Sequence, residues 1–265
     1  MDAKTLLKSK KLFVFDQDGT IYLGSRVFPF AVNFINNLRK NGYKILFFTN
    51  NASHNPDFYL TKLTRLGFSP LRDEIMTSGD VTLEFLKANR AGKSCYLVGT
   101  PELEEQFKNA GIELSENADI VVTSFDTTLT YAKLDTACRL VRNGAEYVST
   151  HPDYNCPTED GFIPDSGAIS AFVTASTNVT PTYFGKPYRS ALDMMCRITG
   201  CNKEDMVIFG DRLYTDIALG KQNGVTSVLV LTGETTQNDV DNADEKDRPD
   251  LIFESLDEVN SIMFN

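Results

Sequence analysis

Apolar and polar positions alternate in blocks along this chain rather than residue by residue. Leu12, Phe13, Val14 and Phe15 form an unbroken apolar run that stops abruptly at Asp16-Gln17-Asp18-Gly19-Thr20. A short run without polar alternation predicts a strand buried on both faces, as in a parallel sheet covered by helices. The same pattern returns at Tyr43–Phe48, which ends in Thr49-Asn50-Asn51, and at Met206–Phe209, which runs into Gly210-Asp211 and on to Asp216. Between the first two runs, Val32, Ile35 and Leu38 repeat at helical spacing, and Asn41-Gly42 closes the segment Ala31–Lys40. A strand, a helix and a strand in that order predict a right-handed crossover and parallel pairing. Both polar tails then leave the sheet at one edge, where ligands bind in open α/β sheets.

The remaining elements continue the α/β pattern. Helices are predicted over Pro56–Leu66, Val81–Asn89, Pro101–Ala110, Tyr131–Val141, Ser190–Ile198, up to about Gln222, and over Leu256–Met263. Strands are predicted over Glu74–Ser78, Ser94–Val98, Asp119–Ser124, Ala145–Ser149, Ser227–Leu231 and Leu251–Phe253. The stretch His151–Ser166 carries prolines and reads as irregular, with a helix starting near Ser166-Gly167. From about residue 80 the polar clusters of the first kind disappear, and they resume at Gly185-Lys186-Pro187. This predicts a core formed by residues 1–79 and 184–265, with residues 80–183 inserted as a second domain. Phe125 and Tyr131 read as core of the insertion. The charged stretch Asp239–Asp250 reads as a solvated loop or helix.

Charge narrows the partners. The formal charge of −10 disfavours nucleic acid and anionic membrane surfaces. No apolar run approaches the ~20 residues that span a bilayer, and the N-terminus lacks the apolar core and cleavage site of a secretory signal. Five scattered cysteines without metal-type spacing read as reduced thiols in a cytoplasmic protein. With only His54 and His151 in the chain, a multi-histidine metal site is excluded. An anionic substrate would therefore need local help, and a metal ion and a lysine would supply it.

Asp16 and Asp18, two residues apart at a sheet edge and followed by a glycine that permits a sharp turn, make a compact anionic site. Such a site suits Mg²⁺, which usually takes one or two carboxylates and keeps several waters. An acidic turn after a core strand is the plain alternative. For the other positions, Thr49 could cap a turn, Lys186 could be an ordinary loop lysine, and Asp216 could complement a helix dipole. Asp16 and Asp211 together are harder to dismiss, because two carboxylates at a buried sheet edge repel each other without a cation.

The motifs FDQDGT, FFTNN, THPD, PTEDG, FGKP and GDRLYTDI, spread between about Leu12 and Leu231, resemble the haloacid dehalogenase-like superfamily, and within it the NagD-like, p-nitrophenyl phosphatase branch. The resemblance implies a Rossmann-like, doubly wound parallel sheet with a large inserted α/β cap that closes over the site. It also implies Mg²⁺-dependent hydrolysis of a phosphate monoester through an aspartyl-phosphate. Asp16 would be the nucleophile, and Asp18 would protonate the leaving oxygen and then take a proton from water. Mg²⁺ would be held by the carboxylates of Asp16 and Asp211 and the backbone carbonyl of Asp18, with Asp216 orienting a metal water or Lys186. The Thr49 hydroxyl, the Asn50 backbone N–H and Lys186 would hold phosphate oxygens.

Two positions depart from the branch. Pro29-Phe30 stands where Pro-Gly is usual, outside the chemistry, and His151 stands where many members carry asparagine, which bears on the substrate. His151, Tyr154 and Asn155 are the candidates for leaving-group selection, with a structural histidine as the alternative at 151. The absence of a basic cluster in the insertion favours a small sugar, polyol or vitamin phosphate over highly anionic substrates. A phosphoryl transferase or mutase using the same aspartyl-phosphate, and a non-catalytic phospho-binding regulator, are the competing readings; an acid/base at Asp18 argues against the regulator. Dimerisation through the cap occurs among relatives, and the sequence does not fix the oligomeric state.

Overall fold

Leu12–Phe15 forms a strand in which every residue is buried, flanked on both sides by parallel neighbours. Its register sets Phe15 beside Phe209 on one side and Phe47 on the other. The structure is a computed structural model and describes residues 2–158 and 160–265; Glu159 of the PTEDG motif lies outside the described residues.

The chain divides into two compact units. The first comprises the segment up to Thr49, Tyr59–Met76 and Lys186–Asn265; the second comprises Asn50–Phe58 and Thr77–Gly185. The first unit is built on a six-stranded sheet in the order Leu251–Phe253, Thr226–Val230, Met206–Gly210, Leu12–Phe15, Lys44–Thr49, Ile75–Thr77. The pairings from Leu251–Phe253 across to Lys44–Thr49 are all parallel. Strand order reverses beside Leu12–Phe15, the kind of switch point where open α/β sheets bind ligands.

Phenylalanine dominates one face of this sheet. Phe13, Phe15 and Phe209 stack at ring separations of 5.0–5.9 Å, and Phe34 meets Phe13, Phe15 and Phe209 edge-on at 5.9–6.3 Å. Phe34 is presented by the helix Pro29–Lys40, which starts with proline in its first turn and buries Ala31, Phe34, Ile35 and Leu38. The helix Leu256–Phe264 adds Leu256, Val259 and Met263 to the same cluster.

The second unit has a four-stranded parallel sheet in the order Thr182–Tyr183, Glu146–Ser149, Ile120–Thr123, Cys95–Val98. Its core includes Val98, Val121, Leu134, Ala137, Tyr147, Ile169 and Val173. Asn50–Phe58 joins this unit because its polar groups are satisfied there. Ser78 Oγ donates to Asn50 O at 2.5 Å, and Thr100 Oγ1 donates to Ser53 O at 2.6 Å.

Two expectations need correction. The stretch His151–Ser166 is not wholly irregular, since Asn155–Thr158 and Gly161–Pro164 pair as an antiparallel hairpin before the helix Ser166–Thr177. Its prolines and the exposure of the second strand hid the pairing. Tyr131 is exposed at a helix start rather than core, whereas Phe125 is buried. The charged stretch Asp239–Asp250 holds only the end of the short helix Gln237–Asn242 and a 3₁₀ turn, both largely exposed. All five cysteines are free thiols. Among the described residues no helix is long and apolar enough to cross a membrane.

Candidate active site

The carboxyl ends of the central strands of the first unit bring three carboxylates together. Asp16 follows Phe15 directly, with its N–H donating to Phe209 O at 2.9 Å as if the ladder continued. Asp211 follows the strand Met206–Gly210, and Asp216 returns on the next turn. One carboxylate oxygen from each of Asp16, Asp211 and Asp216 lies within 4.8 Å of the others.

That return depends on local backbone geometry. Leu213–Ile217 is a wide π turn, not the plain helix start that the apolar spacing predicts. Such turns are frequent at functional sites because the extra residue re-aims a side chain. Here Asp216 Oδ2 accepts from Arg212 N and Thr215 Oγ1, each at 3.3 Å. Asp211 is fixed equally closely: Thr20 Oγ1 donates to Oδ1 at 3.3 Å and Glu234 N to Oδ2 at 2.7 Å.

Glycines make room for these carboxylates. A Cβ on Gly19 would stand 2.4 Å from Asp211 Oδ2, and one on Gly233 would stand 2.0 Å from the same atom. On Gly210 it would lie 2.2 Å from Asp216 Cβ. Gly19 also has φ +88°, which side chains rarely adopt, so it serves both the turn and the close approach.

Lys186 is the buried cation of the cluster. Its Nζ bonds Asp16 Oδ1, lies 2.7 Å from Asp216 Oδ1 and donates to Phe48 O at 3.2 Å. Lys186 against three carboxylates leaves an anionic excess in a buried place, which the Arg212 guanidinium, itself paired with Glu234 at 2.9 Å, only partly offsets at Asp211. Burial raises the Asp16 pKa well above the ordinary carboxylate value, and repulsion from Asp216 and Asp211 adds to this against the attraction of Lys186. Burial, again reinforced by Asp216, lifts Asp211 to about 6. For Lys186, burial opposes the charge, but Asp16 and Asp216 together raise its pKa. Clustered carboxylates with hard oxygen donors and unbalanced charge are what a divalent cation requires, so the residues present fit such an ion.

Asp18 stands slightly apart, with about a fifth of its side chain exposed. Its pKa is raised by burial, an effect that Lys62 and the Tyr22 hydroxyl partly offset. Thr49 ends the neighbouring strand Lys44–Thr49 and is buried. Asn50 is the next residue in the chain, and its side-chain amide donates to Asp153 at 3.2–3.3 Å within the second unit.

The remaining candidates lie in the second unit. His151 is fully buried, with Nδ1 3.7 Å from Asp153 Oδ2 and Nε2 3.3 Å from Asp165 Oδ1. Asp165 also accepts from Ser166 N at 2.6 Å at the start of the helix Ser166–Thr177. Any influence of His151 on a substrate therefore passes through the residues it holds. Tyr154 and Asn155 are exposed at the hairpin. Sequence reasoning overlooked Asp153, Asp165, Tyr22 and Lys62. The two aspartates flanking His151 in THPD and at the helix start were a usable signal; nothing in the spacing marked Lys62.

A parallel sheet with an acidic cluster at its switch point defines a Rossmann-like α/β protein with a site suited to a divalent cation at its sheet edge. The haloacid dehalogenase-like hydrolase family model matches residues 13–113, and a second HAD-hydrolase-like model matches residues 183–259. An acid sugar phosphatase of Staphylococcus saprophyticus is 33% identical over 96% of this chain and 98% of its own length. The solved 4-nitrophenylphosphatase of Thermotoga maritima superposes with a TM-score of 0.92 at 41% identity, over 97% of this chain and 98% of that one. A glycerol phosphate phosphatase of Mycobacterium tuberculosis, solved in complex with calcium, superposes with a TM-score of 0.89 at 28% identity, over 97% of this chain and 76% of that one. The chain belongs to the haloacid dehalogenase-like hydrolases, within the branch of NagD-like and p-nitrophenyl phosphatases.

Proposed function

We propose that this protein is a Mg²⁺-dependent phosphatase that hydrolyses a small phosphate monoester through an aspartyl-phosphate on Asp16. The observation that carries this reading is the approach of Asp16, Asp211 and Asp216 to within 4.8 Å, with Lys186 Nζ held between Asp16 and Asp216. The relatives' names, an acid sugar phosphatase, a 4-nitrophenylphosphatase, a glycerol phosphate phosphatase and a 5'-nucleotidase of Bacillus subtilis, support a small phosphate monoester as the substrate class, with sugar and polyol phosphates among them.

The carboxylates of Asp16 and Asp211 and the backbone carbonyl of Asp18 would hold the cation. When bound, it neutralises charge on the transferring phosphoryl group and lets an anionic nucleophile approach it. The chain's own residues carry the rest. Asp16 attacks phosphorus as the bond to the leaving oxygen breaks, and Asp18 gives that oxygen its proton. In the second half Asp18 takes a proton from water, whose oxygen displaces Asp16 from phosphorus. Thr49 Oγ1 and Asn50 N–H donate to the phosphate oxygens, and Lys186 places a compact positive charge beside them. Asp216 orients Lys186. Selection of the leaving group is assigned to the second unit as the cap, with Tyr154 and Asn155 as exposed contacts and His151 acting through Asp153 and Asp165.

The test is phosphate release from p-nitrophenyl phosphate and a panel of sugar and polyol phosphates, with Mg²⁺ and then with EDTA. Release that stops in EDTA, returns with Mg²⁺ and vanishes in Asp16→Asn supports the reading. Turnover by Asp16→Asn would remove the nucleophile assignment. Transfer of phosphate to a sugar acceptor in place of release would favour a transferase.

A further inference from the structure

Two neighbours outside the machinery above address the Asp18 carboxylate, one at each oxygen, and the Gly24 N–H adds a backbone hydrogen bond to the same carboxylate. The Tyr22 hydroxyl lies 2.9 Å from Gln17 Oε1 and 3.2 Å from Asp18 Oδ2, and its single proton is shared between the two acceptors as a three-centre bond. Tyr22 and Gln17 are both fully buried, so the hydroxyl has a fixed position. The Tyr22 backbone is tied in as well, since its carbonyl accepts from Gly19 N at 2.7 Å and Asp18 bridges to Tyr22. On the helix Pro56–Arg65, Lys62 sets its Nζ 3.9 Å from the centroid of the Tyr22 ring and 3.9 Å from Asp18 Oδ1. The first distance is a cation–π contact, and the second is longer than a hydrogen bond.

Resting on the function proposed above, we infer that Tyr22 and Lys62 are positioning residues that fix the rotamer of Asp18, so that Oδ2 is anchored and Oδ1 is the oxygen that delivers and recovers the proton. An exposed aspartate samples several rotamers, and proton transfer requires the donor within hydrogen-bond reach of the leaving oxygen. Tyr22 holds Oδ2 through a hydroxyl that cannot itself move. Lys62 braces the ring and attracts Oδ1 from 3.9 Å, beyond hydrogen-bond length. In the first half-reaction the Oδ1–H bond breaks and an O–H bond forms on the leaving oxygen as its bond to phosphorus breaks. In the second half the water proton returns to Oδ1.

A leaving group that is already a weak base needs little protonation, whereas a more basic one needs a well-placed acid. The measurement is kcat/KM for p-nitrophenyl phosphate and for phenyl phosphate, with Mg²⁺, in the native protein, Tyr22→Phe, Lys62→Met and Asp18→Ala. We expect Tyr22→Phe and Lys62→Met to lower phenyl phosphate turnover about 10-fold or more, while p-nitrophenyl phosphate falls by no more than about 3-fold, a fraction of the full acid contribution. In the Asp18→Ala background, Tyr22→Phe should no longer change the ratio between the two substrates, because the group it serves is gone. A general loss of structure would depress both substrates alike, and equal losses overturn the inference. So does an unchanged ratio, or a ratio that Tyr22→Phe still shifts without Asp18. Failure of the phosphatase reading looks different: the native protein would release phosphate from neither ester, or Asp16→Asn would remain active.

Discussion

Gly233 offers a clean way to move Asp211 without changing its chemistry. An alanine Cβ there would stand 2.0 Å from Asp211 Oδ2, 2.4 Å from Cγ and 2.6 Å from Cβ. Ordinary carbon–oxygen contact needs about 3.4 Å, so the carboxylate would have to shift by more than about 1 Å. It cannot do so freely, because Glu234 N donates to the same oxygen at 2.7 Å and Thr235 N donates to Asp211 O at 3.1 Å. The Gly19 backbone lies on another side of the same oxygen, near enough that a Cβ added there would stand 2.4 Å away. A misplacement of about 1 Å in a catalytic group costs about 10²-fold in rate, or about 2.7 kcal/mol of barrier. Gly233→Ala is therefore expected to lose about 10²-fold in kcat/KM for p-nitrophenyl phosphate and to need more Mg²⁺ for half-maximal rate. Gly42→Ala is the control: φ there is +78° and nothing lies within 4 Å of an added Cβ. That strain costs about 1–2 kcal/mol of stability and should leave activity alone. If Gly233→Ala keeps the native rate and Mg²⁺ requirement, Asp211 does not act where the structure puts it.

Lys186→Met would leave the carboxylates facing one another without their buried cation. Loss of one partner from a buried charge cluster costs about 3–5 kcal/mol, to be read as a lower denaturation midpoint, and Mg²⁺ should restore part of it. Mg²⁺ should raise the melting temperature of the native protein and fail to do so in Asp211→Asn, a comparison independent of turnover. Replacing His151 with leucine would strip Asp153 and Asp165 of the imidazole between them. A loss of about 1–3 kcal/mol in chemical denaturation is expected, and unaltered stability would mean that the buried histidine holds nothing together. His151→Asn should change relative rates across a phosphomonoester panel; an identical profile would move specificity elsewhere.

Much of this architecture was legible in the order of residues. A fully buried parallel strand must be apolar on both faces, so Leu12–Phe15, Tyr43–Phe48 and Met206–Phe209 announced themselves, and the polar residues that ended them marked one sheet edge. Composition at those ends, Asp16, Thr49 and Asp211, carried the family resemblance. The hairpin at Asn155–Thr158 and Gly161–Pro164 stayed hidden because proline-bearing, exposed strands lack the apolar signal. The assignment of Asn50–Phe58 to the second unit could not be read either, because it depends on the partners of Asn50 O and Ser53 O at Ser78 and Thr100.

Local sequence dictated which chemical groups exist and on which kind of element each sits, since backbone periodicity and turn chemistry act over a few residues. Distances among groups far apart in the chain were another matter. That Lys186 lies between Asp16 and Asp216, that a π turn swings Asp216 inward, and that Tyr22 and Lys62 address the two oxygens of Asp18 were settled only by packing. Burial in a shared environment fixes separations and shifts proton affinities, and neither property belongs to any residue taken alone.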